Sequence, residues 1–415
     1  MSRHDEHWMR RAIDLARQVM YLTAPNPRVG CVIVRDGQVL GEGATQEAGG
    51  PHAEVMALRD LHRHHLSAEG ATVYVTLEPC SHHGRTPPCV EALIAERPAR
   101  MVVAMLDPNP LVGGRGLGRL RDVGIAVTTS ICTEEALELN PGFVARMTRR
   151  TPWVWLKLAA SLDGRSALNN GVSQWITGPT ARADGHHWRA RSSVVLTGLG
   201  TILADDPRLD VRLVETPRQP IRAVVDPRFE IPEDARLFGG GPVWVFTARN
   251  DPEKAARLAA MGARAIFLPM VDDGAPSIVD DVTWSKVDDV ALSKADNSAL
   301  RTADDGAGSR PRVDLNAMLR WMAEQEVNEV HVEAGPGLCG ALLGAGCVDE
   351  LLVYLAPMLL GDAQPMARLP ALASLDQARR FQFLDSVFLA PDMRLRARCA
   401  DRWQALLEAV QAPSA

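Results

Sequence analysis

Two short stretches of this chain carry residues able to hold a metal ion and move protons. PHAEV (51–55) sets His52 two positions before Glu54, and EPCSHHGRTPPC (78–89) sets Cys80 and Cys89 on either side of two histidines, a glycine, an arginine and two prolines. Two thiolates and an imidazole are three ligands for a tetrahedral, borderline-soft ion such as zinc, and a catalytic zinc site keeps its fourth position for water. Zinc lowers the pKa of that water from ~16 to about 7. A carboxylate beside the water, here Glu54, can take its proton and deliver it to a ring nitrogen and to departing ammonia. The bland alternatives are a pair of buried thiols or a closed structural site in which His82 or His83 supplies a fourth ligand.

His-x-Glu alone is common by chance. Joined to Pro-Cys and a second Cys, it is the signature of zinc-dependent nucleobase deaminases, in which hydroxide attacks an amino-bearing ring carbon. The remaining cysteines, Cys31, Cys132, Cys339, Cys347 and Cys399, lack such company and read as packed apolar residues. Seven cysteines is a low, odd count, so a disulfide is the weakest reading of Cys80 and Cys89. LHRHHL (61–66) is histidine-dense but reads as a solvated helix end.

These residues need elements to position them. Pro51 suits a first helical turn, which places His52 and Glu54 near a helix N-terminus. Cys80 is expected to end the strand ATVYVTL (71–77), and Thr86-Pro87-Pro88-Cys89 reads as an N-cap and first turn where the helix dipole favours thiolate. Ahead of them, a helix over 5–20 leads to VGCVIV (29–34) and QVLGEG (38–43), strands that flank Asp36-Gly37 as a hairpin. Strands at 99–106 and 124–129 alternate with helices, so the first half is a layered α/β sandwich.

Turn formers and a small basic run at 139–152 mark a boundary, giving domains over 1–147 and 148–405. The second half repeats the α/β rhythm through SVVLTGLG, IRAVVD, PVWVFTA, RAIFLP, NEVHVE and ELLVYLA, with an amphipathic helix over 314–325. Residues 271–310 are acidic, polar and aperiodic and read as a mobile surface insertion. Their Asp-Asp pairs lack the ligand spacing and glycine of a calcium loop.

With 415 residues, 46% hydrophobic and 23% charged, the chain suits two ordinary globular domains. Its net charge of -6 argues against coating nucleic acid and favours small-molecule partners. Neither a signal peptide nor a membrane-spanning stretch is legible, so a cytoplasmic location is expected.

The chain resembles the bifunctional deaminase/reductase family of riboflavin biosynthesis. The resemblance is carried by PNPRVGCVIVRDG, by the eight residues between the cysteines of PCSHHGRTPPC, by DPNPLVGGRGL (107–117), KLAASLDGR (157–165) and SQWIT (173–177). It implies a cytidine-deaminase-like domain followed by a dihydrofolate-reductase-like domain. The first would remove an amino group from a diaminohydroxy-pyrimidine bearing a phosphoribosylamino substituent. The second would use NADPH to reduce ribosyl to ribityl. It also implies a homo-oligomer.

By the same resemblance, Asn26, His82, Asp107 and Asn109 line the first pocket, while Thr45 stands where members commonly carry histidine. Ser173, Arg189, Leu209, Arg212 and Glu333 fall on substrate contacts of the second pocket, the two arginines suiting a ribose phosphate. Ala159, Trp175, Thr201, Asp205 and Pro227 fall on the nucleotide contacts, with Pro227 replacing a common serine and Asp205 a candidate for placing the amide or assisting protonation. So does the turn Gly335, Pro336, Gly337, Leu338, Cys339, Gly340 and Ala341. GPGLCG fits Gly-x-Gly-x-x-Gly, but no strand-end acid lies about twenty residues on, which argues against a Rossmann domain. The rival reading is a tRNA-editing deaminase with a non-catalytic nucleotide-binding domain, suggested by the shared zinc motif and the basic RMTRRTPWVW.

Overall fold

Helix α1 (Arg3–Gln18) turns Trp8, Met9, Ala12, Ile13 and Ala16 to one buried side, the stripe expected of a 3.6-residue period. The computed structural model describes residues 3–81, 88–109, 113–270 and 311–411; the acidic stretch 271–310 lies outside them, as do His82 and His83. α1 packs on β1 (Gly30–Arg35), which joins β2 (Gln38–Ala44) antiparallel. Asp36 and Gly37 between them hold φ of 53° and 74°, the backbone of a two-residue turn whose twist matches its strands.

Helix α2 (Ala53–Arg63) lies close over β2. A Cβ on Gly41 or Gly43 would fall 2.5 Å from the Ala57 backbone, so the two glycines set the height of the helix above the sheet. β3 (Thr72–Val75), α3 (Cys89–Ala95), β4 (Arg100–Val103), α4 (Arg115–Asp122) and β5 (Ala126–Thr129) complete a sheet ordered β2-β1-β3-β4-β5. β1 is antiparallel to β2 and β3, whereas β3, β4 and β5 run parallel.

After α5 (Thr133–Leu137), the region read as turn formers is largely a helix, α6 (Pro141–Arg149), with Phe143, Val144 and Ala145 buried. Proline at the first helical position loses only an N–H that would have had no partner. Its turn signal marked a helix start.

The second half opens with β6 (Trp153–Ser161), β7 (Arg165–Ala167), α7 (Pro179–Arg191), β8 (Val194–Gly198), α8 (Leu199–Asp205) and β9 (Ile221–Val225). It continues through β10 (Val243–Thr247), α9 (Pro252–Ala260), β11 (Ala263–Phe267), α10 (Leu315–Glu324), β12 (Glu329–Glu333), α11 (Pro336–Gly344), β13 (Glu350–Ala356) and β14 (Gln364–Pro365). It closes with β15 (Gln382–Leu389), β16 (Asp392–Arg398) and α12 (Ala400–Val410). Nine strands form one sheet in the order β11-β10-β9-β8-β12-β6-β13-β16-β15. All pairs from β11 to β13 are parallel, and β16 and β15 extend the edge antiparallel.

Trp153, Trp155, Leu352 and Tyr354 on one face of this sheet share a core with the first half, while Val154, Leu156 and Leu158 face a second core. α12 runs to Val410, so the expected limit at residue 405 falls inside a helix. Its buried Leu406, Leu407 and Val410 belong to the first-half core, beside α5 and α6.

Candidate active sites

His52 is the N-cap of α2 and Cys89 the first residue of α3, so two helix starts aim their side chains at one point. Cys80 does not end a strand. β3 stops at Val75, and Cys80 sits in the following loop, where its Sγ accepts the Cys89 backbone N–H at 3.3 Å. His52 Nδ1 lies 3.3 Å from Cys89 Sγ and 3.7 Å from Cys80 Sγ. The three ligand atoms fall within 4.8 Å of one another, and among the described residues the group comprises these three alone. A hydrogen bond with the Cys89 thiol above all, and then one with His52, push the Cys80 thiol down against the opposing effect of burial, which makes it the readier of the two sulfurs to ionise. Two soft donors and an imidazole converging on one point fit zinc, and the described residues supply three ligands to it.

Glu54, in the first turn of α2, is 4% exposed. Burial above all pushes its carboxyl up to about 7, with Cys80 adding to the rise and His52 opposing it. A group that gains and loses its proton near neutrality suits acid and base work in one cycle.

Asp107 is pushed up to about 6, chiefly by burial, and the charges of Glu78 and Cys80 contribute, which places it in the same electrostatic neighbourhood. Its Oδ1 accepts the Asn109 N–H at 2.9 Å. Asn26 sits in a turn, its N–H donating to the Thr23 carbonyl. Thr45 is buried, with its N–H on the Val29 carbonyl.

A cleft of about 1510 Å³ opens at the C-terminal ends of β6, β8, β9 and β12, the edge at which parallel sheets take ligands. It is lined by Ala159, Ser173, Trp175, Arg189, Thr201, Asp205, Leu209, Arg212, Pro227, Glu333, Gly335, Pro336, Gly337, Leu338 and Ala341. Cys339 and Gly340 are not on its wall. The Cys339 thiol is buried against the Ala334 carbonyl, and a Cβ on Gly340 would lie 1.9 Å from the Arg368 carbonyl oxygen. The glycine-rich turn therefore presents Gly335 as N-cap of α11, with Gly337 and Leu338 in its first turn, an arrangement that fits a phosphate. Thr201 Oγ1 accepts the Gly335 N–H at 3.2 Å.

Arg189 is not a free phosphate clamp. Its Nε and Nη2 meet both oxygens of Glu333 at 2.5 and 2.9 Å, and Nη1 donates to the Asp210 carbonyl. Burial alone would raise Glu333, yet Arg189 and then Lys157 hold it well below the usual carboxylate range. Arg212 is half exposed, with one nitrogen on Asp210, and its backbone N–H donates to His186 Nδ1. Asp205 accepts from Gln174 Nε2 at 3.0 Å. Lys157, 3.7 Å from Glu333, also lines the cleft. Its signal was a lone cation in the apolar run WVWLKLA.

A His-Cys-Cys centre with a buried glutamate, on a chain whose second sheet opens a nucleotide-sized cleft, defines a zinc-dependent deaminase joined to a dihydrofolate-reductase-like reductase. Residues 2–105 match the cytidine and deoxycytidylate deaminase zinc-binding region, and residues 152–393 match the RibD C-terminal domain. The chain belongs to the riboflavin biosynthesis protein RibD family, the bifunctional deaminases and reductases of that pathway. It is 42% identical to the Escherichia coli (strain K12) member over 94% of this chain and 98% of that one. The Haemophilus influenzae member is 38% identical over 95% and 97%. The solved structure of Acinetobacter baumannii RibD, form 2, at 38% identity, superposes with a TM-score of 0.78 over 95% of this chain and 98% of that one.

The tRNA-editing reading is not favoured. Arg146 and Arg149 of its basic stretch face inward, to Asn328 and Asp349 respectively.

Proposed function

We propose that the first half of the chain deaminates 2,5-diamino-6-(5-phosphoribosylamino)pyrimidin-4(3H)-one. The second half then reduces the ribosyl group to ribityl with NADPH, giving 5-amino-6-(5-phosphoribitylamino)uracil. The solved structure of a diaminohydroxyphosphoribosylaminopyrimidine deaminase/5-amino-6-(5-phosphoribosylamino)uracil reductase from Thermotoga maritima superposes at a TM-score of 0.77 with 29% identity, over 95% of this chain and 98% of that one, which supports the substrate assignment. The observation that carries the reading is the convergence of His52, Cys80 and Cys89 on one point with Glu54 buried on the same helix start.

In the first site His52, Cys80 and Cys89 hold zinc, which when bound supplies an activated water. Glu54 accepts a proton and returns it to the ring nitrogen and then to the departing ammonia. Asn26, His82, Asp107 and Asn109 take the polar edge of the pyrimidine.

In the second site NADPH, when bound, supplies a hydride to the first ribose carbon, and the work of the chain is placement. Ser173, Leu209 and Arg212 hold the phosphoribosyl group, with Arg189 and Glu333 acting as a paired unit. Ala159, Trp175, Thr201, Asp205, the Pro227 backbone and the turn from Gly335 to Ala341 hold the nucleotide. Cys339 and Gly340 act there by packing the turn.

We divide the two activities at residue 147, with α12 packed back on the first half. Among the described residues no helix is long and apolar enough to cross a membrane. The seven free cysteines support a reducing, cytoplasmic setting. A net charge of -6 supports small molecules over nucleic acid as partners. Strand β15 ends its sheet with Phe383 and Phe388 about 70% exposed, and an edge of this kind supports a second copy of the chain as its partner.

Protein supplied with zinc, the diaminopyrimidine and NADPH should release ammonia and then oxidise NADPH. Glu54→Ala should stop ammonia release while NADPH oxidation on pre-deaminated substrate continues. Full deamination by that variant would overturn the reading.

A further inference from the structure

Glu78 opens the Glu-Pro-Cys run and is 3% exposed. Its carboxylate is met by four backbone N–H groups from two separate segments. Oε2 accepts from Asp107 at 3.2 Å and Gly114 at 2.9 Å, while Oε1 accepts from Gly116 at 3.0 Å and Leu117 at 3.3 Å. Gly114 is the N-cap of α4, so three of these donors belong to helix-start amides that otherwise lack partners. The backbone of Glu78 is tied as well, its N–H donating to the Met105 carbonyl at 2.9 Å.

The space for this arrangement is built by glycines. Gly114 holds φ at 78°, and a Cβ on Gly116 would fall 2.4 Å from the Pro79 carbonyl oxygen and 3.2 Å from Glu78 Oε1. Helix α4 thus rests on the backbone of the Glu-Pro-Cys run itself. Two residues along that run stands Cys80, whose sulfur joins the metal group. At the other end of the carboxylate stands Asp107, whose own oxygen holds the amide of Asn109.

We propose that Glu78 is a positioning residue for deamination, one that fixes the metal-binding sulfur of Cys80 relative to the substrate-facing segment Asp107–Asn109. The proposal rests on the deaminase reading of this site. Glu78 does not touch the reacting atoms; it joins the segment that carries a metal ligand to the one read as taking the edge of the pyrimidine. A misplacement of about 1 Å between metal and substrate costs on the order of 100-fold in rate, whereas a plain helix cap affects stability alone.

Glu78→Gln keeps the shape of the side chain and two of its acceptor contacts, and turns an amide donor toward N–H donors on the other side. Gly116→Ala displaces the same contact from the α4 side with the carboxylate intact. Both variants should retain a zinc ion per chain and full NADPH oxidation on pre-deaminated substrate. Their kcat/KM for deamination should fall about 100-fold, and the visible spectrum of the cobalt-substituted protein should shift as the Cys80 sulfur moves. Wild-type deamination and an unchanged cobalt spectrum in both variants would overturn the proposal. So would loss of the two activities together, which would mark Glu78 as purely structural. Failure of the wild-type chain to deaminate would instead remove the underlying reading.

Discussion

Arg28 and Glu329, one just ahead of the first sheet and the other on a central strand of the second, form a buried ion pair 2.7 Å long. Arg191 meets the other oxygen of Glu329 at 2.8 Å. The Arg28 guanidinium also donates to the carbonyls of Met20, Leu139 and Arg191. Each charge in the trio is answered where it stands, the condition under which buried ions are tolerated. Glu329→Ala strands two guanidinium groups in the interior and should cost about 3–5 kcal/mol, read from chemical denaturation of the whole chain.

Removal of the metal should separate the two reactions. Chelation, or Cys80→Ala, is expected to abolish ammonia release and bring zinc content close to zero by metal analysis. NADPH oxidation on pre-deaminated substrate should persist, because the second cleft shares none of the three ligands.

His186 gives the reductase cleft a sensitivity to acid. Burial, and then the charges of Arg189 and Arg212, push its imidazole down to about 4, and in its neutral form it accepts the Arg212 backbone N–H. The folded value lies below the unfolded one of ~6.5, so its stabilising effect is complete above that value and is lost as pH falls toward 4. Melting temperature should decline over that window, and His186→Asn should flatten this part of the profile.

Gly340→Ala tests the packing of the nucleotide turn. The added methyl would meet the Arg368 backbone, an overpacking that costs about 1–3 kcal/mol. NADPH binding, followed by titration of cofactor fluorescence, should weaken at least severalfold while zinc-dependent deamination is unchanged.

Much of the metal centre was legible because its ligands lie within two short motifs whose spacing and helix-start residues are local properties. The central strands were legible for a similar reason: VVLTG and AVVD are apolar runs bounded by turn residues. Strands β15 and β16 were not, since β15 is exposed along one face and only partly buried along the other and β16 alternates arginines with apolar residues. Those arginines find partners only in three dimensions, Arg396 and Arg398 both on Glu350 and Glu138. Arg189 and Glu333 were both expected at the substrate by resemblance, but their pairing with each other was not legible, because it joins segments that only the fold brings together. Glu78 was visible as part of a motif, but its four amide partners come from segments that only the fold brings together.

Helix α12 sets an order of assembly. Its Leu406, Leu407 and Val410 close the core of the zinc-binding layer, and the Leu106 N–H reaches the Val410 carbonyl at 2.9 Å. A ribosome therefore releases that layer with one wall missing, and the wall emerges only after every strand of the reductase sheet. The two enzymes were stitched so that the one made first is sealed by the one made second, and a gene cut at their seam would deliver the deaminase with an oily gap in its side.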